Sequence, residues 1–340
     1  MMLKASLVFI IFFSGLVPCI GQQATERAQT ATDSDDLESG HMRFPRYGLT
    51  AATDGSWVYV YGGAPEGGRN GKDFMHDGLH ASIERIDPKT LTSTYFGNGL
   101  HRRANHATVY LNQQLVSCGG RSQVGLSRPK IASCEYLDLE TGLYRELPAL
   151  PEALRTLGLA AIDDDLYVFG GLIGGTVYSS NLYRLRPGGQ AWESLPGAPI
   201  TYSGPVVAVG KKLYTIGGYN GQSMHSVMVY DVEKATWQRH KDLPFGLSAY
   251  SAVVDGTDIY IFGDYEQMSK VHRYDTQTGD LYLLDAQITP RRHTAAVLVG
   301  EQVLVMGGNQ TSSGKALSLV EALPLKMLRA GGEKVKRTKD

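Results

Sequence analysis

The sequence predicts an all-β fold built from six repeated modules of four short strands each, closed into a six-bladed propeller. Three observations carry this reading. An apolar run ending in glycine, in five cases a glycine pair, recurs six times; a second short strand ending in an aromatic and often an aspartate follows it; and beyond a turn a large residue opens a further strand.

The apolar runs are Trp57 to Tyr61 before Gly62-Gly63, Leu115 to Cys118 before Gly119-Gly120 and Leu166 to Phe169 before Gly170-Gly171. Leu213 to Ile216 precedes Gly217-Gly218, Ile259 to Phe262 precedes Gly263-Asp264, and Val303 to Met306 precedes Gly307-Gly308. Steps between the first glycines are 57, 51, 47, 46 and 44 residues, near the period of about 50 that marks modules of blade size. The runs are short and rich in β-branched and aromatic residues, as strands buried on both faces are. Terminal glycine lets such a strand turn sharply or pack tightly on a neighbour.

The second strand reads Cys134-Glu135-Tyr136-Leu137-Asp138, Asn181-Leu182-Tyr183, Val227 to Asp231 and Val271 to Asp275, with Ile83 to Asp87 in the first module. Turn sequences such as Asp87-Pro88-Lys89-Thr90 and Glu140-Thr141-Gly142 come next. Tyr95, Tyr144, Trp192, Trp237 and Leu281 then open the fourth strand. Glycine pair, tyrosine-aspartate and tryptophan in register resemble the kelch family over about residues 43 to 325. The resemblance implies a six-bladed kelch-type β-propeller acting as a binding module.

The chain has 340 residues, with 19 tyrosines, 40 glycines and moderate charge, which suits one all-β domain of many tight turns. Residues 1–21 read as a signal peptide: Lys4, an apolar stretch from Leu7 to Val17, then Cys19-Ile20-Gly21. The alternative is an uncleaved anchor, although the stretch is shorter than the about 20 residues a spanning helix needs. Pro18 stands where a lipidation signal before Cys19 would carry a small residue. Export, to a periplasm or outside the cell, is therefore expected, with no stable membrane span after cleavage. Residues 22–42 read as a flexible acidic leader, 43–328 as the propeller and 329–340 as a basic tail. Near-neutral charge gives no reason to expect nucleic acid as a partner.

Cleavage after Gly21 leaves Cys118 and Cys134. One ends the second strand of module two and the other lies in the strand returning beside it, so they either form a disulfide or remain two buried thiols.

In a propeller the first strands line the central channel. Fifteen or sixteen residues before the glycine pairs stand Arg46, Arg103, Arg155 and the couple Arg291-Arg292, with Tyr202 and Ser248 in modules four and five. Two readings are open. The arginines brace the modules internally, their forks satisfying carbonyls and carboxylates. Or Arg46, Arg103, Arg155 and Arg292, with His106, Tyr202, Tyr250 and His293 nearby, form a cationic mouth for a small acidic ligand or a protein partner.

Module five departs from the pattern with Gly263-Asp264 and then Glu266. A weaker resemblance, to secreted sialic-acid mutarotases of the same family, places an acidic catalytic residue at Asp264. It implies as the alternative function a mutarotase or epimerase of the N-acetylneuraminate type, with Asp264 and Glu266 as catalytic carboxylates. The competing role for Asp264 is a turn cap. The long loop of module one, Ala64 to Ser82, holds Arg69, Asp73, His76, Asp77 and His80, whose glycine-rich setting argues against a helical metal pair. No metal site and no cofactor are expected. No Gly-x-Ser-x-Gly elbow and no Walker loop occurs.

Overall fold

The computed structural model describes residues 38–65, 78–122, 127, 129–311 and 315–336. The signal peptide, most of the leader, and Arg69, Asp73, His76 and Asp77 lie outside the described residues. What is described is a ring of six antiparallel sheets.

Blades one to five each run outward through four strands in chain order. Blade one comprises Thr50–Thr53, Val58–Tyr61, Ser82–Ile86 and Ser93–Asn98; blade two Ala107–Leu111, Gln114–Cys118, Cys134–Asp138 and Tyr144–Leu147. Blade three comprises Gly158–Ile162, Asp165–Phe169, Leu182–Leu185 and Glu193–Leu195; blade four Val207–Val209, Lys212–Ile216, Val227–Asp231 and Thr236–Arg239. Blade five comprises Ser251–Asp255, Asp258–Phe262, Lys270–Asp275 and Leu281–Gln287. The first strands neighbour one another round the ring, blade six against blade one included.

Blade six corrects the expectation of four strands throughout. It has three, Ala295–Val299, Gln302–Met306 and Val320–Pro324, after which Leu325–Arg329 forms a short helix that buries Leu325 and Leu328. Part of the outer position is taken by the end of the supposed leader. His41 bridges Leu319, the Met42 N–H donates to the Ser318 carbonyl, and the Val320 N–H donates to that of Gly40. Residues 40–42 thus tie blade six to blade one, and Met42 is buried in the core between them. The tail is likewise not all free: Glu333–Lys334 adds a fifth strand to blade five, pairing Tyr282 with Lys334 and Leu283 with Glu333.

Packing follows the modules, with, among the described residues, an apolar core at each of the six blade interfaces and a small seventh cluster of Ala64, Leu79 and Ala104. The second strands are buried along their length, as in Val58–Tyr61, because each lies between two such cores. The recurrent residues each hold a joint. Asp138 Oδ1 accepts the N–H groups of Glu140 (3.0 Å) and Thr141 (2.8 Å), and Asp231 and Asp275 cap their turns in the same way. Trp192 and Trp237 donate Nε1–H across a blade interface to the carbonyls of Pro148 and Pro196, both at 2.8 Å.

The glycine pair is the joint between blades. Gly63 has φ +98° and donates its N–H to the Arg103 carbonyl of blade two at 2.8 Å; a Cβ on Gly62 would lie 2.5 Å from that same oxygen. The second glycine makes the matching bond at Gly120, Gly171, Gly218 and Gly308, the last to Arg46, which closes the ring.

Candidate functional site

The rim that carries the glycine-pair loops opens into a cavity of about 750 Å³ lined by residues from all six blades. At its mouth the chain entering five of the six first strands passes through a left-handed residue: Gly48, Asn105, Thr156, Ala249 and His293 have φ of 60°, 54°, 54°, 59° and 53°. Four of these are not glycine, a conformation costing roughly 1–2 kcal/mol per residue. Backbone hydrogen bonds hold them. Asn105 N–H donates to the Gly48 carbonyl (2.7 Å), Thr156 to Asn105 (2.6 Å), Gly204 to Thr156 (3.0 Å), Gly48 to His293 (3.0 Å) and His293 to Ala249 (2.9 Å). This collar was not anticipated from the sequence, because five different residue types occupy equivalent positions.

The structure divides the channel-mouth arginines. Arg46, Arg103 and Arg291 are buried braces that do not line the cavity. Arg46 donates to the carbonyls of Gly62 (2.9 Å) and Ser82 (3.1 Å) and to Glu84 (2.5 Å). Arg103 donates to the carbonyl of Gly119 (3.0 Å) and pairs with Glu135 (3.2 Å). Arg291 bonds the Leu319 carbonyl (3.0 Å) and pairs with Glu321. Arg46 and Arg103 therefore stand inside their blades and not at the ligand-binding mouth expected of them: the whole fork of Arg46 and the Nη groups of Arg103 are spent there. Burial lowers the Arg46 pKa while the Glu84 charge opposes it.

Arg155 and Arg292 stand differently. Arg155 is partly buried, lines the cavity and has no ion pair among the described residues. Burial and then the nearby charge of Arg121 lower its pKa, with Tyr178 acting the other way. Arg121, in the blade-two loop, donates to the Tyr47 hydroxyl at 3.3 Å. Arg292 lies with its guanidinium carbon 3.9 Å from the centre of the Tyr265 ring, and Tyr265 forms part of the cavity wall. Arg121 and Arg292 both act on His293, whose pKa is lowered chiefly by burial and supported by its bond to Asn309 Oδ1 (3.0 Å). Of the three only Arg155 lines the cavity, with Arg121 close to it and Arg121 and Arg292 both close to His293; none of them forms an ion pair among the described residues, and Glu266 is the carboxylate on the same lining. Arg121 was missed in the sequence because it follows a glycine pair rather than preceding one.

Of the other expected residues, His106 lines the cavity and its Nε2 shares a hydrogen bond with Thr50 Oγ1 at 2.9 Å; burial and the Arg103 charge hold it neutral. Tyr250 lines the wall, but its hydroxyl is spent on the Ile216 carbonyl. Tyr202 does not reach the cavity: it is fully buried, stacks on Phe169 and donates to the Pro205 carbonyl at 2.5 Å.

Asp264 is buried behind the wall and acts as a cap. Its oxygens accept the N–H groups of Ser248 (2.8 Å), Glu266 (3.1 Å) and Gln267 (3.1 Å). Burial raises its pKa, four backbone N–H groups lower it, and no cation acts on it. Glu266 is exposed and lines the cavity. Asp264 also explains the departure in blade five, since it avoids the left-handed φ of the second glycine elsewhere.

Cys118 and Cys134 are directly opposed across the strand pair and joined as a disulfide. It anchors the base of the loop carrying Arg121. No group of histidine, cysteine and carboxylate side chains suited to a metal ion occurs among the described residues, and no helix among them is long and apolar enough to cross a membrane.

Comparison with known proteins agrees with this geometry. The family model described as the Attractin/LZTR1 beta-propeller matches residues 152–319. Beta-scruin of Limulus polyphemus is 23% identical over 67% of this chain and 27% of its own length. Kelch-like protein 35 of Mus musculus is 27% identical over 57% of the chain and 33% of its own length, and Kelch-like protein 34 of Homo sapiens 27% identical over 64% and 35%. The chain thus spans between about a quarter and two fifths of the length of the curated relatives it matches.

Proposed function

The chain belongs to the kelch-repeat β-propellers, and from that premise we propose that it is a binding module whose glycine-loop rim takes a carboxylate-bearing partner into its arginine-lined mouth. One observation carries the reading: Arg155 faces the cavity, Arg121 and Arg292 stand by the same mouth, and none of them forms an ion pair among the described residues. Like charges gathered without ion pairs destabilise the fold slightly and become favourable when an anion arrives. Exposed Tyr219 and Tyr265 frame the opening and offer flat faces to what binds.

The relatives carry kelch repeats in chains much longer than this one, which supports a role in interaction with other molecules. Export belongs to the same proposal: the apolar N-terminus reads as a signal peptide, and a disulfide is at home in an oxidising compartment. Asp264, spent as a backbone cap, supports binding over sugar mutarotation.

Thermal unfolding of the whole chain against a panel of carboxylate-bearing small molecules and an Asp/Glu-rich peptide tests this. A partner that binds only the folded state raises the midpoint, and Arg155→Gln should abolish the rise. A panel that protects the unaltered chain and Arg155→Gln equally, or neither, overturns the reading.

A further inference from the structure

Below the arginines the cavity has two unlike walls. Blades five, six, one and two present hydroxyls in facing pairs. Thr50 and Thr108 share a hydrogen bond at 2.7 Å, Ser251 and Thr294 one at 2.7 Å, and Ser223 of blade four reaches Ser248 at 2.8 Å. In the Ser251–Thr294 and Ser223–Ser248 pairs either oxygen can donate, so one proton and several lone pairs stay available and the sense of the bond can reverse; Thr50 and Thr108 also bond His106 Nε2 (2.9 Å) and Ser117 Oγ (2.8 Å), and offer lone pairs only. All six of these residues line the cavity. The opposite wall, from blades three and four, is mainly apolar, with Leu157, Leu159, Leu172, Val206 and Val207, and carries Thr156 and Ser203 beside them. The backbone collar between mouth and wall is already bonded to itself and has little left for a peptide main chain.

We propose that the occupant of this cavity is a sugar acid of one or two residues, held by its carboxylate at Arg155, by its hydroxyls on the threonine and serine wall, and by its apolar ring face on the leucine and valine wall. The inference rests on the carboxylate-binding reading above and names the chemical class of its ligand. A pyranose has this division: hydroxyls that both donate and accept around its edge, and a C–H face that is apolar. A cavity of about 750 Å³ falls within the roughly 300–1,000 Å³ of small-molecule sites. Tyr178, Tyr219 and Tyr265 at the opening supply stacking faces for a second residue.

The test is calorimetric titration of the full chain with galacturonic acid, its dimer, its methyl ester, galactose, acetate and an Asp/Glu-rich peptide. Galacturonic acid should bind at least tenfold more tightly than galactose, the ester or acetate. Arg155→Gln should remove that advantage. Replacing one hydroxyl of a pair, Ser251→Ala or Thr294→Val, should weaken the sugar acid roughly two- to tenfold, the range of one neutral hydrogen bond, and leave acetate unchanged. If the peptide binds through Arg155 and no sugar acid does, this inference falls and the carboxylate reading stands. If the ester or galactose binds as well as the acid, the carboxylate contact is refuted, and if no ligand depends on Arg155 both readings fall. The comparison of ligands on the unaltered chain decides the matter even where a variant fails to fold.

Discussion

Replacing Arg46 by alanine tests the division between bracing and binding arginines most sharply. Arg46 and Glu84 are both wholly buried, 2.5 Å apart. Removing the guanidinium leaves the Gly62 and Ser82 carbonyls without that donor and Glu84 without its counter-charge, although the N–H groups of Arg43 (2.7 Å) and Phe44 (3.1 Å) still reach the carboxylate. Breaking a buried pair from one side costs about 3–5 kcal/mol, against a total of roughly 5–15 kcal/mol for a typical domain. The same residue's carbonyl accepts the ring-closing N–H of Gly308, so the loss falls at the seam between blades six and one. The assay is urea unfolding followed by tryptophan fluorescence, with the change read from the midpoint at unchanged slope. Arg155→Ala is the control: it removes a cation that repels Arg121, so its stability should stay within about 0.5 kcal/mol of the unaltered chain or rise. Affinity should follow the opposite order, kept in folded Arg46→Ala and lost in Arg155→Ala. A destabilisation below about 1 kcal/mol for Arg46→Ala, or lost affinity at an unchanged midpoint, would refute the assignment.

Non-reducing peptide mapping should recover the Cys118 and Cys134 peptides joined; closing a loop of 16 residues is worth about 3 kcal/mol, so Cys118→Ser should cost a comparable amount. Ala249→Gly should stabilise the collar by up to about 1 kcal/mol and Ala249→Val should weaken it, since φ is +59° there; equal midpoints would show that the collar carries no strain. His272 is buried with its pKa lowered to about 4, so between that value and 6.5 the unfolded chain holds the extra proton and stability rises with pH. On acidification from pH 6.5 to 4 His272 should therefore contribute up to about 1.4 kcal/mol per unit to the loss of stability, beside the contributions of the likewise lowered His80, His106 and His293; His272→Met should reduce the slope by that share, and an unchanged slope would exclude His272 as a source. Asn309-Gln310-Thr311 should carry no glycan in a glycosylating host, because Asn309 is buried and bonded to His293 and to the Thr311 carbonyl; mass spectrometry of the secreted protein decides it.

Most of the ring was legible because each module repeats its joints with the same residue types. Gly62-Gly63 has to be glycine where a neighbouring carbonyl approaches and φ is positive, and Asp138 has to accept two N–H groups at its turn. Such demands recur in most blades, so they recur in the sequence. The seam repeats nothing. Residues 40–42 serve one blade only, without periodicity and beside an acidic run, and so read as leader. Leu325–Arg329 was taken as strand material because the preceding modules led to a fourth strand, whereas its buried Leu325 and Leu328 are spaced for one helical turn.

The arginines were legible only to within one residue, and that residue decides their role. Arg46, Arg103 and Arg291 stand sixteen positions before the first glycine of their blades, Arg155 and Arg292 fifteen. In extended chain successive side chains point to opposite sides, so Arg291 turns into its blade while Arg292, its neighbour, turns to Tyr265 at the cavity wall. A second position carries the same information. The residue after the one paired with the end of the second strand is Glu84, Glu135 and Glu321 in the three braced blades, and Tyr183, Met228 and His272 in the other three. Leu154, Thr201 and Leu247 occupy the sixteenth position in those. Arginine and glutamate thus appear together or not at all, as burial of a charge requires. An arginine without that glutamate has no place inside the blade, which leaves the guanidinium of Arg155 to the cavity and to whatever anion enters it.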